Sequence, residues 1–308
     1  MDLQLKDKVV FIAGASRGIG LGIAQACLAE GAKVALTARG PEALQETKAR
    51  LAATYGASRL WSFAGDMRNS ADIDTAVKRC EAELGPIWGA VANVGIHPCP
   101  PGFDVDDESW EQGLTQNLTA SYRLARAVLK PMLQRGAGSL VFIGSIAGLA
   151  ALGTPLTYGT SKAAVGHLSG ELAKLAGANG VRVNTIAPGN IVFPGGDWEK
   201  RSTGERADAW KRWIAREVPM KRFGTPEEIG AVVERLLGMT YQDRVASPCI
   251  GVERADLVLA GCAILEAIRR AFPCPRLRVA DRGLREGMLV QMMREDGAWG
   301  GNSQAAPS

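Results

Sequence analysis

Lys8-Val9-Val10-Phe11-Ile12-Ala13, running into Gly14-Ala15-Ser16-Arg17-Gly18-Ile19-Gly20, is the stretch on which the fold of this chain turns. The first half is apolar and largely β-branched or aromatic, with no alternation, so it reads as a strand buried on both faces. The charges before it (Asp2, Lys6, Asp7, Lys8) and the glycine turn after it argue against a signal-peptide core. Ile19–Glu30 then carries a helical pattern. Strand, glycine turn, helix is the context in which backbone N–H groups approach a pyrophosphate at a helix N-terminus. The spacing is GxxxGxG, one residue wider than GxGxxG. Turns use glycine in any case, so by itself the motif leaves a nucleotide site and a plain turn equally open.

The same alternation continues outward. Ala32–Ala38, Leu60–Ala64, Ile87–Asn93, Ser139–Gly144 and Val181–Ala187 have strand character, and helical patterns cover Pro41–Tyr55 and roughly 70–84, 107–134 and 156–178. Uniformly apolar strands joined by helices predict an α/β fold, a doubly wound parallel sheet with helices on both faces. The composition agrees: 46% hydrophobic, 22% charged and 37 glycines among 308 residues, enough apolar material for a core and many tight turns. From Pro188 to about Arg216 the chain becomes rich in Gly, Trp and charge, as expected of a mobile segment (190–217) covering a cleft, with Trp198, Trp210 and Trp213 lining it or covering the core. Thr225-Pro226-Glu227-Glu228 starts another helix, with Thr at the N-cap and carboxylates at the positive end.

Several classes are disfavoured. The net charge is only +4 and no Lys/Arg run tracks a phosphate backbone, so nucleic acid is not expected as a partner. Six cysteines without a CxxC pair, and only His97 and His167 beside them, predict no metal site and suit a reducing, cytoplasmic location. The stretch Ala255–Ala267 is too short to span a bilayer and carries Asp256 and Glu266, so no membrane association is expected.

Chemistry enters with three further signals. Strand two ends Thr37-Ala38-Arg39, where an NAD site usually carries a carboxylate for the ribose hydroxyls. Arg39 with Arg17 instead suits a 2′-phosphate, favouring NADP(H) over NAD(H) if a dinucleotide binds; two solvated arginines is the plainer reading. Tyr158 and Lys162, four apart on one helix face, can pair a phenol with an ammonium that favours the phenolate. Ser145 lies just past the strand 139–144, where loops at strand carboxyl ends converge on a ligand crevice.

With these residues assembled, the sequence over 1 to about 234 resembles the short-chain dehydrogenase/reductase family. The glycine turn is Gly14, Gly18 and Gly20; Asp66 follows strand three; Ala92-Asn93-Val94-Gly95 stands where the family has Asn-Asn-Ala-Gly; Ser145 begins Ser-Ile-Ala-Gly; and Pro188-Gly189 ends strand six. The resemblance implies a hydride transfer between a nicotinamide cofactor and a small carbonyl or alcohol. Tyr158 would be the general acid and base, and Lys162 would tune it and bind ribose. Ser145 would hold the substrate oxygen and Asn117 a proton-relay water. It assigns cofactor contacts to Gly14, Ser16, Arg17, Gly18, Ile19, Gly20, Arg39, Asp66, Asn93, Gly95, Tyr158, Lys162, Pro188 and Gly189.

The resemblance ends near residue 235. The family closes its sheet with a strand leading to Val-Asp-Gly-Gly, which does not occur here. Instead Glu253–Gly261 and Leu277–Gly287 resemble the carboxyl end of the exopolyphosphatase/guanosine pentaphosphate phosphatase family, a helix–strand–helix segment without that family's phosphate loops. The expected organisation is therefore a dinucleotide-binding reductase domain (1–235), a foreign segment (236–298) and a frayed tail (299–308). The edge of strand six would be open unless Asp256–Ala260 or Arg276–Ala280 covered it. The family's tetramer is in doubt, and a homodimer through the long helices 107–134 and 156–178 is compatible. Two readings stand beside the reductase: a non-catalytic dinucleotide-binding protein with an incomplete sheet, and a phosphatase-related activity in the tail.

Overall fold

The computed structural model describes residues 3–95 and 99–238. His97, the segment beyond 238 and the two candidate edge strands within it lie outside the described residues.

Six strands form one parallel sheet: β1 (Val9–Ala13), β2 (Lys33–Ala38), β3 (Leu60–Ala64), β4 (Ile87–Ala92), β5 (Gly138–Ile143) and β6 (Val181–Ile186), in the order β3-β2-β1-β4-β5-β6. The order reverses between β1 and β4, so the loops leaving those two strands diverge and open a crevice at their carboxyl ends. Along β1 successive side chains enter opposite layers. Val10 and Ile12 pack with Ile23 and Cys27 of α1 (Gly18–Ala29) and Val233 and Leu237 of α9 (Pro226–Gly238). Phe11 and Ala13 pack on the other side with Leu124, Val128, Phe142 and Val165. Burial on both faces is why β1 reads apolar at every position.

Most elements fall where the hydrophobic period predicts: α2 (Pro41–Tyr55), α3 (Ser70–Glu83) and α6 (Leu156–Gly177). Two regions differ. The single helix expected over 107–134 is α4 (Asp107–Leu114), a π-helical turn at Thr115–Thr119 and α5 (Ala120–Arg135). The wider turn re-aims side chains mid-helix, which a 3.6-residue period does not reveal. The segment 190–217, expected as a mobile cover with no secondary structure assigned to it, is largely helical: α7 (Asp197–Thr203) and α8 (Ala207–Glu217). The reason is aromatic packing. Trp198 meets Trp210 at 5.4 Å, Trp213 at 6.1 Å and Phe223 at 5.6 Å between ring centroids. The tryptophans thus pack the two helices together rather than cover the main core.

Among the described residues β6 is the outer strand on its side of the sheet. Arg182 at its start donates to the carbonyls of Leu236 (2.5 Å) and Leu237, so α9 ends beside the amino end of β6. None of the described helices is long and apolar enough to cross a membrane, and the described cysteines Cys27, Cys80 and Cys99 are free thiols.

Candidate active site

The glycine turn between β1 and α1 is built for close backbone approach. Gly14 (φ +71°) and Gly18 (φ +57°) hold left-handed conformations, and a Cβ at Gly20 would lie 2.1 Å from the Gly14 carbonyl oxygen. Arg17, the N-cap of α1, is extended and offers no side-chain acceptor, and the first turn carries no acid. The positive end of the helix is therefore uncompensated by these residues, which fits the pyrophosphate of a dinucleotide. Thr47 Oγ1 donates to the Ser16 carbonyl at 2.9 Å, and Ile19 packs half-buried on the core. From β4, Asn93 Nδ2 donates to the Gly14 carbonyl at 3.0 Å and fastens the turn to the next strand.

Arg17 and Arg39 are both exposed, at the ends of β1's turn and of β2. Asp66 is engaged elsewhere: Arg68 Nε lies 3.0 and 2.9 Å from its two carboxylate oxygens. The Arg68 hydrogen bonds hold the carboxyl below its ordinary range, with a smaller contribution from the nearby Arg39 charge. Asp66 caps no helix; that is Asn69, whose side chain accepts from the Ala71 amide.

Three elements bring the remaining polar groups together. Ser145 follows β5 and caps a short 3₁₀ turn (Ile146–Gly148), its Oγ accepting from Ala147 N at 3.2 Å. The same hydroxyl hydrogen-bonds the phenol of Tyr158 on α6. One turn along, Lys162 is 5% exposed and its Nζ donates to the Ile143 carbonyl at 2.9 Å, 5.9 Å from the Tyr158 ring centroid. Burial shifts the two groups in opposite senses, because it penalises whichever form is charged. It lowers the Lys162 ammonium to about 8. It raises the Tyr158 phenol, opposed by the Ser145 hydrogen bond, while Cys99 and Asp197 add a smaller upward push. Burial, rather than the ammonium, thus sets the direction of the phenol's shift.

Asn117 sits in the π-helical turn, fully buried. Its Nδ2 donates to the Gly113 carbonyl at 3.0 Å and its Oδ1 is buried without a partner. A Cβ at Gly95 (φ +144°) would lie 2.7 Å from that Oδ1 and 3.1 Å from Lys162 Nζ. The backbone after β4 therefore brings Asn117 and Lys162 to one point, beside an acceptor able to take a water or ligand proton. Pro188 closes the ring: its carbonyl accepts from Ile146 N at 3.1 Å, tying the exit of β6, with the exposed Gly189, to the Ser145 turn.

The structure also contributes residues that spacing alone passes over. A Cβ at Gly148 would sit 2.5 Å from the Lys162 carbonyl carbon, so this glycine lets the Ser145 turn lie against α6. Ser145-Ile146-Ala147-Gly148 contains the signal, but only the fold shows what the glycine is for. Phe193 lies on the glycine turn, its ring 2.8 Å from where a Gly18 Cβ would be. Exposed His167 lies 3.9 Å from Glu171 on α6 and, with Ser145 and Lys162, lines a cavity between α6 and β6. Among the described residues no cluster of His, Cys, Asp and Glu could hold a metal. A cavity of about 370 Å³ between α6 and β6 is lined by Ser145, Leu149, Lys162, Gly166, Ala173 and Thr185 among others.

Residues 8–201 match the family model described as short chain dehydrogenase. Residues 213–296 match that of the Ppx/GppA phosphatase family. The chain is 35% identical over 237 residues to 2-(S)-hydroxypropyl-CoM dehydrogenase 3 of Xanthobacter autotrophicus, covering 77% of this chain and 92% of that protein. It is also 35% identical over 263 residues to D-threitol dehydrogenase of Mycolicibacterium smegmatis, covering 84% and 94%. Among solved structures, L-sorbose reductase from Gluconobacter frateurii, complexed with NADPH and L-sorbose, superposes with a TM-score of 0.71 at 31% identity, covering 77% of this chain and 92% of that one. NAD+-bound xylitol dehydrogenase gives 0.71 at 28% identity, covering 77% and 94%.

Proposed function

The chain belongs to the short-chain dehydrogenase family, a nicotinamide-dinucleotide oxidoreductase acting on a small molecule, and from that premise we propose that it interconverts a carbonyl and a secondary alcohol using NADP(H), with Tyr158 as general acid and base. The observation that carries this reading is the convergence of Ser145, Tyr158, Lys162 and Asn117 from β5, α6 and the π-helical turn, at the end of the sheet that also bears the glycine cradle.

The cradle fits the dinucleotide: Gly14, Ser16, Arg17, Gly18, Ile19 and Gly20 offer backbone to its pyrophosphate, and Asp66, Asn93, Gly95, Pro188 and Gly189 border the crevice. When bound, the cofactor supplies or accepts the hydride. In reduction Tyr158 donates its proton to the carbonyl oxygen, a role typically worth about 10²–10⁴-fold. Its raised pKa keeps it protonated and ready to give at neutral pH. Ser145 shares a hydrogen bond with the phenol and holds the substrate oxygen beside it. Lys162, titrating at about 8, binds the nicotinamide ribose and exchanges a proton with water held at Asn117, so Tyr158 is reprotonated from the interior. The exposed guanidinium groups of Arg17 and Arg39, with no carboxylate at the end of β2, support NADP(H) over NAD(H). A cytoplasmic homodimer through α5 and α6 completes the reading.

Tyr158→Phe tests it. With a panel of ketones, NADPH oxidation should fall at least about a hundredfold while NADPH affinity stays within about twofold. Undiminished turnover would remove Tyr158 from the mechanism.

A further inference from the structure

We infer that Gly113 on α4 is a positioning residue for the reaction: it holds Asn117 at the point where the Gly95 backbone and Lys162 meet. The inference rests on the catalytic reading above, which gives Asn117 its water, and adds what keeps that side chain in place.

Gly113 makes two contacts that only glycine can make together. Its carbonyl accepts from Asn117 Nδ2 at 3.0 Å. Only the amide nitrogen can donate there, so Oδ1 is left facing away from that carbonyl. It lies 2.7 Å from where a Gly95 Cβ would be, a spot itself 3.1 Å from Lys162 Nζ. The other contact is with α6. A Cβ at Gly113 would lie 2.7 Å from Thr157 Cβ, 2.9 Å from its Oγ1 and 3.3 Å from its Cγ2. Close-packed interiors do not absorb such overlaps, so a side chain at 113 pushes α4 and α6 apart. Thr157 is fully buried and immediately precedes Tyr158. Its Oγ1 has no hydrogen-bond partner among the described residues, so the hydroxyl does not tie the joint together.

The two helices are not equally anchored. From α6, Val165, Ala173 and Ala176 enter the core layer that holds Phe142 and Val183, and Gly148 lets the Ser145 turn lie against the same helix. By contrast, α4 has eight residues and buries only Gly113. Its cap is the exposed Asp106, whose carboxylate accepts from Ser109 N at 2.8 Å. A side chain at 113 therefore displaces α4 and leaves Tyr158 and Lys162 where they are. The π-helical turn follows α4 without a break and closes on itself, Ala120 N donating to the Thr115 carbonyl five residues back. It moves with α4 and carries Asn117 away from Gly95 and Lys162. Gly113 thus acts on the chemistry through Asn117.

The test is a double-mutant cycle with the full-length protein, NADPH and whichever of cyclohexanone, acetophenone and dihydroxyacetone the wild type reduces fastest. Each variant is assayed where circular dichroism shows it folded. Gly113→Ala should lower kcat at least about tenfold with NADPH affinity within about twofold, since a shift of about 1 Å misplaces a catalytic group. In an Asn117→Ala background the same substitution should cost less than about threefold, because a residue acting through another is not additive with it. Gly113→Ala combined with Thr157→Gly removes the wall that the new methyl meets, and should return kcat to within about threefold of the wild type. Where Gly113→Ala does not fold, Thr157→Ile crowds the same joint from α6 and enters the same cycle. Undiminished kcat in Gly113→Ala, equal losses in both backgrounds, or no recovery in the folded double variant would overturn the inference and leave the catalytic reading standing. If Asn117→Ala keeps full kcat, or the wild type reduces none of the ketones, the catalytic reading fails and the inference with it.

Discussion

Burial moves Tyr158 and Lys162 in opposite directions, and their consequences with pH differ accordingly. Because the Ser145 hydrogen bond pulls the phenol down, Ser145→Ala removes the one influence opposing burial. In the oxidative direction, where the phenolate must form, the alkaline rise in rate should move to higher pH in that variant, as pH–rate profiles will read. Lys162 titrates at about 8 when folded, below the value of about 10.4 expected for an unfolded lysine. Between those two values the unfolded chain binds more protons, so the wild type should gain stability relative to Lys162→Met as pH rises from about 8 to about 10. Denaturant midpoints across that range measure it, and a gap that stays constant would show that the amine binds protons equally in the folded and unfolded chain, with no lowering by burial. For the dinucleotide, Arg39→Asp should weaken NADPH by about 10–100-fold, the value of a charged hydrogen-bonded contact, and NADH far less. Equal losses in calorimetric titration would return Arg39 to being a solvated side chain.

At the scale of elements, α1 and α9 depend on having no side chain at two glycines. A Cβ at Gly22 would lie 2.4 Å from the Pro226 carbonyl oxygen, and one at Gly230 would lie 2.5 Å from the Gly22 carbonyl oxygen. Gly22→Val forces the helices apart and should cost about 1–3 kcal/mol, seen as a lower urea midpoint with the slope unchanged. The same packing bears on where the reductase ends. Although the phosphatase-family match begins at residue 213, Ile229, Val233, Leu236 and Leu237 of α9 share a core with β1 and α1. We propose a boundary near 236 for that reason. Elements also explain what could be read in advance. The strand before Gly14, the Tyr158–Lys162 pair and Ser145 at a strand end are local patterns, and the sequence alone exposes them. The π-helical turn aims Asn117 by breaking the helical period, so its orientation was not legible. Nor was the meeting of Gly95, Asn117 and Lys162. Those depend on loops whose course is set by the packed sheet, and α7–α8 took shape through tryptophans whose partners no periodicity identifies.

At the scale of the whole molecule, two family matches share one chain, and the described sheet ends at β6. Every group assigned to chemistry lies within residues 14–189, held between core layers that α9 completes on one face. On the proposed reading this chain, phosphatase-like segment included, performs direct hydride transfer rather than only binding a dinucleotide. Stoichiometric transfer of label tests this most directly. The protein is mixed with a ketone and NADPH deuterated stereospecifically at nicotinamide C4, in ordinary water, and the alcohol is read by mass spectrometry. One of the two deuterated epimers should place a single deuterium on the carbinol carbon, and Tyr158→Phe should abolish the product. Tight NADPH binding with no labelled alcohol from any ketone, or a carbinol hydrogen drawn from solvent, would contradict direct transfer.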